Sequence, residues 1–222
     1  LPALSAAKQR AYGVKCLSNL KQMDLAYTMY QQDNNGNMIA YNSASALWMQ
    51  TLIAYQSQVA AIRLCPSTSF GAVTNAYGDA KTPWYWGAFT NNVNLNTGSY
   101  AMNGWLYKYD LTSSALQYMP TGNMQYLFGK ESSIDQAAST PVFMDAVWPD
   151  CWPTHAGKPP LNLFTGDPMD ASLGRICIAR HPLKTSASTY PGRVVPGAIN
   201  MAFADGHASL WKLQDIKDVG WY

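Results

Sequence analysis

The sequence predicts an α+β domain in which a long N-terminal α-helix packs on an antiparallel β-sheet, with irregular loop-rich insertions and a C-terminal β-hairpin. The first thirty residues carry apolar side chains at spacings of three or four, which is the period of a helix. Near the C-terminus, apolar residues alternate with small or polar ones around an Asp-Gly dipeptide, as in a hairpin. Between these segments, short strand-like runs are separated by Gly, Asn and Ser. Helices and strands are therefore segregated along the chain, as in α+β domains.

The composition indicates a globular chain. Of the 222 residues, 48% are hydrophobic and only 13% are charged, about half of the usual share. A disordered chain would show the opposite balance. The net charge of +2, without a run of Lys or Arg, argues against a nucleic-acid partner. No apolar run in the sequence reaches the roughly 18 residues of a membrane span.

The polar side chains indicate an exported protein. Tyr (14 residues), Trp (8 residues) and many Asn residues occupy the place that Lys and Glu take in cytosolic enzymes. Such a surface suits an extracellular protein, or one that neighbouring copies largely cover. The four cysteines are an even number, which is compatible with two disulfides in an oxidising compartment.

The first predicted element is a helix over about the first thirty residues, interrupted after Pro2 by Gly13 alone. The segment Asp33–Asn37 predicts its end, because Asn35 or Gly36 can adopt the left-handed conformation that ends a helix. The same segment has a faint likeness to a calcium-binding loop. Its Gly stands at the fourth position, however, and no closing Glu follows, so we interpret the segment as a helix cap.

The next predicted elements are a second helix and several strands. The helix runs from Ser45 to about Ala60 with one apolar stripe, and Pro66 favours an extended conformation just after it. The predicted strands before the hairpin are Ser99–Met102, Leu116–Met119, Pro141–Val147 and Arg175–Ala179.

The C-terminal hairpin is the clearest local prediction. Ile199, Met201 and Phe203 alternate with small or polar residues. The dipeptide Asp205-Gly206 is typical of a two-residue type I′ turn, since both residues accept a positive φ, and His207–Leu213 then forms the returning strand.

Sequence motifs for catalysis are absent. The chain has no Gly-x-Ser-x-Gly, no His-Glu-x-x-His and no complete phosphate-binding loop. Asp145, Asp150 and Asp205 could converge on one site, although turn and cap roles are more common for Asp. We therefore expect no catalytic activity.

Two Cys-x3-His units form a candidate zinc site. Their four ligands would be Cys151, His155, Cys177 and His181, and two thiolates with two imidazoles can close a tetrahedral site. The alternative is a disulfide between Cys151 and Cys177, which an exported protein favours.

The remaining cysteines would then form a second bridge. Cys16 lies in the first predicted helix and Cys65 lies after the second, so a bridge would join the two. Four cysteines allow three pairings, so the sequence leaves the connectivity open.

Four aromatic residues are candidates for contact with a glycan or a neighbouring subunit. Trp84, Tyr85 and Trp86 are consecutive, and Trp105 follows in the same weakly charged region. Such rings can stack on sugars or anchor a subunit contact. Packing in the core is the competing interpretation.

Several short segments carry a family resemblance. They are Leu1–Lys8, Cys16–Gln22, Tyr30–Gly36, Arg63–Ser67, Tyr100–Trp105, Thr140–Ala146 and Asn200–His207. Together, and in this order along the whole chain, they resemble a pilin-like family of bacterial pseudopilin-type proteins. That family has a prepilin cleavage and methylation signal and a C-terminal signature of His, nine residues and Asp-Gly.

The sequence departs from that family at two places. The family carries a charged leader and an apolar membrane anchor before the segment that begins here at Leu1, so any membrane contact would run through such an upstream anchor. In addition, 23 residues separate His181 from Asp205, which implies an insertion of fourteen, assigned to the Pro182–Gly197 loop.

The resemblance implies a structural subunit of an extracellular helical filament, a pilus or pseudopilus, whose partners are copies of itself. Residues 1–35 would form the assembly helix and residues 36–222 the globular head. Related secretion pseudopilins hold structural calcium, but the resemblance gives no ligand set here and we expect no other cofactor. The alternative is a secreted glycan-binding module. The assembly interface is predicted at Leu1, Leu4, Ala7, Ala11 and Val14.

Overall fold

A computed structural model describes residues 2–41, 47–56, 59–69, 76–86, 96–109, 123–183, 188 and 194–222. It confirms the α+β architecture, because a long N-terminal helix lies against a sheet whose strands are mostly antiparallel. The helices are α1 (Pro2–Asp33), α2 (Leu47–Leu52) and α3 (Val59–Ile62), and the strands are β1 (Ile39–Ala40), β2 (Trp84–Tyr85), β3 (Thr97–Gly98), β4 (Tyr100–Asn103), β5 (Tyr107–Lys108), β6 (Pro141–Asp145), β7 (Asp150–Cys151), β8 (Ala198–Phe203) and β9 (Ala208–Lys212).

The central sheet has five strands in the order β7-β4-β6-β8-β9. The pairs β4–β6, β6–β8 and β8–β9 are antiparallel, whereas β7 lies parallel to β4. Both β6 and β8 are buried along their whole length, so both faces of the inner sheet are covered. Two short ladders, β1–β5 and β2–β3, lie outside this sheet.

The long helix α1 has a buried part and an exposed part. From Cys16 to Tyr27 one side enters the core, with Leu20 and Met23 fully buried, whereas residues 3–11 are all exposed. The predicted end is confirmed, since Asn35 and Gly36 have φ values of 56° and 72°. Among the described residues, no helix combines the length and the apolar character of a membrane span.

Tryptophan dominates the core. Three buried indoles satisfy their N–H groups: Trp48 donates to the Pro149 carbonyl, Trp105 to that of Pro153, and Trp152 to the Tyr109 hydroxyl. Burial of these rings stabilises the fold while their polar edges stay bonded. The fully buried tryptophans, each at most 1% exposed, are Trp48, Trp84, Trp105, Trp152 and Trp221.

The second predicted helix, from Ser45 to Ala60, is wrong as one continuous element. Among its described residues, α2 is followed by a 3-10 turn at Ile53–Tyr55 and then by the extended residue Gln56, before α3 begins. Residues 45, 46, 57 and 58 lie outside the described part. The extended backbone at Gln56 breaks the helical hydrogen-bond series, which a stripe of apolar residues does not reveal.

Of the strands predicted before the hairpin, two are confirmed and one is wrong. Ser99–Met102 corresponds to β4 and Pro141–Val147 to β6, whereas Leu116–Met119 lies outside the described residues. The predicted strand Arg175–Ala179 is wrong: the segment begins in a 3-10 turn, and the Cys177 N–H bonds to the carbonyl of Leu173 and not to a strand.

The predicted hairpin is confirmed as β8 and β9, but its turn type is wrong. The connecting loop has four residues, Ala204–His207, and Gly206 has a φ of 88° while Asp205 is not among the residues with positive φ. A type I′ turn needs positive φ at both central residues. The Gly206 N–H instead closes a turn on the carbonyl of Phe203.

Candidate functional sites

The side of α1 that faces away from the sheet carries exposed apolar side chains toward both ends of the helix, with the exposed polar residues Ser18, Lys21 and Gln22 between them. Leu4 is 71% exposed, Val14 68%, Leu25 60% and Met29 45%. Two exposed alanines share this side at helical spacing. Leu1 lies outside the described residues. We call the set the outer stripe: Leu4, Ala7, Ala11, Val14, Leu25 and Met29.

The opposite side of α1 is also apolar, and it packs on the sheet. Cys16, Leu20, Met23 and Tyr27 are at most 2% exposed there, and the Tyr27 ring meets Phe143 of β6 edge-on at 6.1 Å. A surface helix of a globular protein normally presents polar side chains to solvent. The sheet therefore explains one apolar face of α1 and leaves the outer stripe unexplained.

A groove of about 260 Å³ borders the C-terminal part of the outer stripe. Leu25, Met29 and Gln22 of α1 form one wall, and Ile62 and Gln56 form part of the other. The Gln56 side chain is only 8% exposed, yet neither atom of its amide has a hydrogen-bond partner among the described residues. A buried unpaired amide is costly, so this groove has polar capacity that the described part of the chain does not satisfy.

A disulfide ties α1 to the rest of the domain. Cys16 and Cys65 are bonded, which confirms the second of the predicted bridges and joins α1 to the segment after α3. Both cysteines are buried. Nearby, the Asn19 amide of α1 donates to the carbonyl of Leu64, so the same junction is also hydrogen-bonded.

His181 lies directly beside this disulfide. Its Nε2 atom is 3.6 Å from the Sγ of Cys65 and 3.2 Å from Oδ2 of Asp145, while its Nδ1 faces Gly13 of α1. The His181–Pro182 peptide bond is cis. The imidazole is only 5% exposed, and it borders a cleft that reaches solvent.

Asp145 is the centre of the buried charge network around His181. Its Oδ1 accepts a hydrogen bond from Arg180 at 3.0 Å, and its Oδ2 accepts one from the backbone N–H of Asn200 at 2.8 Å. Burial alone would raise the pKa of Asp145, but His181, Arg180 and the Asn200 N–H outweigh burial and lower it. Arg180 also donates to the carbonyls of Asp79 and Ala146, so this charge is fully bonded.

The predicted Cys151–Cys177 bridge is not formed. The Sγ of Cys151 lies against the Met102 carbonyl and Met144 Sδ of neighbouring strands, and Cys177 follows the 3-10 turn at Leu173–Arg175 as a buried thiol. Burial raises the pKa of both thiols, which keeps them protonated and unreactive. Both cysteines are therefore buried free thiols, and neighbourhood in the sequence did not predict a bond between them.

The predicted zinc set is also not assembled. His181 lies at the Cys16–Cys65 disulfide, whereas Nδ1 of the exposed His155 contacts the carbonyl of Lys217 at 2.8 Å. Among the described residues, the one cluster of three metal-binding side chains within 4.8 Å of one another is Cys16, Cys65 and His181. Of the four residues in the two Cys-x3-His units, only His181 therefore belongs to this cluster.

The three candidate aspartates do not converge. Asp150 pairs with Arg175 at 2.8 Å, and Asp205 pairs with His207 at 2.6 Å in the hairpin loop. Asp145 alone contacts His181, beside the Cys16–Cys65 disulfide. Sequence patterns could not predict these separate partners, because each pair spans two elements or one turn.

The predicted aromatic platform is largely part of the core. Trp84 and Trp105 are fully buried and Tyr85 is 3% exposed, so three of its four rings cannot reach a glycan. Trp86 is half-buried and lies 5.3 Å from the ring of Trp148. The reason is the β2–β3 ladder, in which Gly98 leaves room for the Trp84 ring.

Comparisons with protein-family models, with curated proteins and with solved structures return no match.

Proposed function

We propose that the chain is a structural subunit of an extracellular helical filament, of the pilus or pseudopilus type, that assembles through α1. The observation that carries the proposal is the outer stripe, a line of exposed apolar side chains on the face of α1 that the sheet does not use. Exposed apolar side chains that share one face commonly mark an interaction site. The resemblance to pilin-like proteins supports the same reading.

The stripe suits contact with a second helix. Ala7 and Ala11 are small and one helical turn apart, so another backbone can approach closely between the larger Leu4 and Val14. The groove beside Leu25 continues this surface toward the other end of α1. A contact between different surfaces of two copies does not close on itself, so repetition gives a filament.

Electron microscopy of the chain at neutral pH tests the proposal, with two charge substitutions on one turn of α1. We expect filaments of one helical repeat for the wild type and none for Ala7→Asp, because a carboxylate in the stripe would be desolvated on contact. Gln9→Asp, on the other side of the same turn, is the matched control and should still assemble. Filaments formed equally by both variants would refute the assignment of the stripe.

A second candidate function is glycan binding, and one observation favours it. Tyr77 is 39% exposed and its ring centre lies 4.7 Å from that of Trp148, which also contacts Trp86. Such a cluster of accessible rings can stack on a sugar. On this function, Trp148→Ala abolishes polysaccharide binding in calorimetry, whereas Trp211→Ala, which removes a half-buried ring in β9, leaves it intact. Equal binding by both variants would exclude the cluster.

A further inference from the structure

The disulfide centre contains three ligand atoms of a metal site. Sγ of Cys16, Sγ of Cys65 and Nε2 of His181 all lie within 4.8 Å of one another, and all three residues are buried. Two thiolates and one imidazole are a ligand set that zinc prefers. In the oxidised chain the two sulfurs are bonded to each other, so the ligand set becomes available only when that bond is broken.

The distance between imidazole and sulfur already fits zinc. Zn–S bonds of about 2.3 Å and Zn–N bonds of about 2.0–2.1 Å at a tetrahedral angle put sulfur and nitrogen about 3.6 Å apart. His181 Nε2 and Cys65 Sγ are 3.6 Å apart in the structure. Zinc binding also requires the two sulfurs to separate, to the distance of about 3.8 Å that the same bond lengths set.

The charges of the centre also balance around a divalent cation. Two thiolates neutralise Zn²⁺, and the carboxylate of Asp145 is neutralised by Arg180 at 3.0 Å. An uncompensated charge in so buried a place would be expensive, whereas this set has no net charge. When Nε2 of His181 binds the metal, its contact with Oδ2 of Asp145 is given up, and the carboxylate keeps Arg180 and the Asn200 N–H as partners.

A cleft borders the centre at His181. It has a volume of about 200 Å³, and its lining includes Ser5, Lys8 and Tyr12 of α1 together with Ser67 and His181. A reductant and a metal ion can approach through it, and a water molecule from the cleft can fill the fourth coordination position.

We propose that this centre is a redox-gated zinc site: a Cys16–Cys65 disulfide in the oxidised chain, and a zinc ion held by Cys16, Cys65 and His181 in the reduced chain. Reduction by a dithiol breaks the Sγ–Sγ bond, gives each cysteine a proton and an electron, and leaves the dithiol as its own disulfide. Zn²⁺ then binds both sulfurs as the two thiols release their protons to solvent. Either state ties α1 to the segment after α3, so the tie survives a change of redox conditions. This inference does not depend on filament assembly.

The zinc content of the reduced chain tests the proposal. A phosphine is the reductant, since it takes up the oxygen of water and offers no thiol that competes for zinc. After removal of free metal, we expect one zinc per reduced chain and none per oxidised chain. Cobalt in place of zinc should give the absorption of a tetrahedral site together with thiolate-to-cobalt charge transfer.

Two double variants identify the cysteines. Cys16→Ser with Cys65→Ser should abolish stoichiometric zinc, whereas Cys151→Ser with Cys177→Ser should retain it, and His181→Gln should weaken zinc binding at least tenfold. If the Cys151/Cys177 variant does not fold, alkylation of the reduced wild type replaces it, with zinc expected to protect Cys16 and Cys65 specifically. Zinc-free reduced protein, equal zinc in the Cys16/Cys65 variant, or a reduced chain that unfolds and is not restored by zinc would each overturn the proposal.

Discussion

Two buried aspartates show how partners decide the state of a charge in this protein. Asp145 is fully buried, yet His181, Arg180 and a backbone N–H lower its pKa against the effect of burial. Asp24 of α1 is 2% exposed, and burial together with the charge of Asp205 raises its pKa to about 7. The same residue type thus stabilises the fold as an anion at one place and opposes it at the other.

Asp24→Asn tests the second case through the pH dependence of stability. The folded chain keeps the Asp24 proton between pH 3.8 and about 7, where the unfolded chain has lost it, so stability falls as the pH rises through this window. A pKa of about 7 in place of 3.8 puts a penalty on the order of 4 kcal/mol on the ionised folded state. We expect the variant to lose this slope and to be more stable than the wild type at pH 8. Denaturant unfolding from pH 4 to 8 measures the free energy of unfolding of each protein, with Asp135→Asn at an exposed position as the control. If the free energies of Asp24→Asn and the wild type change with pH in parallel, the prediction is contradicted.

Two glycines have opposite tolerance for a methyl group. A Cβ at Gly104 would collide with the indole of the buried Trp152, whereas a Cβ at Gly13 in α1 meets only His181 Nδ1 at 3.8 Å. We expect Gly104→Ala to cost about 1–3 kcal/mol through overpacking. Gly13→Ala should stabilise α1 by about 0.5–1 kcal/mol. Thermal unfolding of both variants checks the pair, and a stable Gly104→Ala protein would mean that Trp152 moves freely.

At the scale of elements, α1 and the sheet depend on long-range ties more than on local propensity. The hydrogen bond from Asn200 in β8 to the Gly13 carbonyl and the Cys16–Cys65 disulfide both hold the middle of the helix. The N-terminal residues 3–11 have no such burial. The helix is consequently anchored from its middle onward, and its first turns are available to another chain.

The Cys16–Cys65 disulfide makes a measurable contribution to the stability of the fold. It spans 49 residues, and closing a loop of that size in the unfolded chain corresponds to about 4 kcal/mol in the chain-entropy model. We expect the double variant Cys16→Ser/Cys65→Ser to have a free energy of unfolding about 4 kcal/mol lower than the wild type in metal-free buffer. Denaturant unfolding measures the loss, and Cys151→Ser with Cys177→Ser is the control for changed buried thiols. A loss no greater than that of the control would show that the bridge does not limit stability.

At the scale of the whole molecule, the outer stripe separates stability from association. Its side chains are exposed, so they contribute little to the stability of the fold while they remain accessible to another chain. The groove beside Leu25 enlarges that surface toward the head, and it contains the Gln56 amide, for which the described residues offer no partner. Subunit contact would bury both together.

Leu25→Glu combined with Met29→Glu tests this separation. Both side chains are exposed, so the free energy of unfolding should stay within about 0.5 kcal/mol of the wild-type value. The melting temperature should then change little. Self-association measured by analytical ultracentrifugation should fall strongly, because two charges would enter the contact. A large loss of stability would mean that these residues belong to the core and not to a contact surface.

The sequence by itself determined the features that depend on local periodicity and turn chemistry. The extent of α1, its end at Asn35-Gly36, the strand β6 and the C-terminal hairpin follow from such patterns, and so does the apolar character of Leu4 to Val14. Each is encoded within a few neighbouring residues. The type of the hairpin turn already escaped this reasoning, because Asp-Gly is compatible with more than one loop length.

Only the tertiary structure decided which distant side chains meet. It placed His181 with Cys16 and Cys65 in place of Cys151 and Cys177, and it buried Trp84 and Trp105 that the sequence left open for binding. Such pairings join residues far apart in the chain, and nothing local favours one pairing over another. The physical reason is that they are selected by the packing of α1 and the loops on the sheet, a global minimum that no single segment specifies.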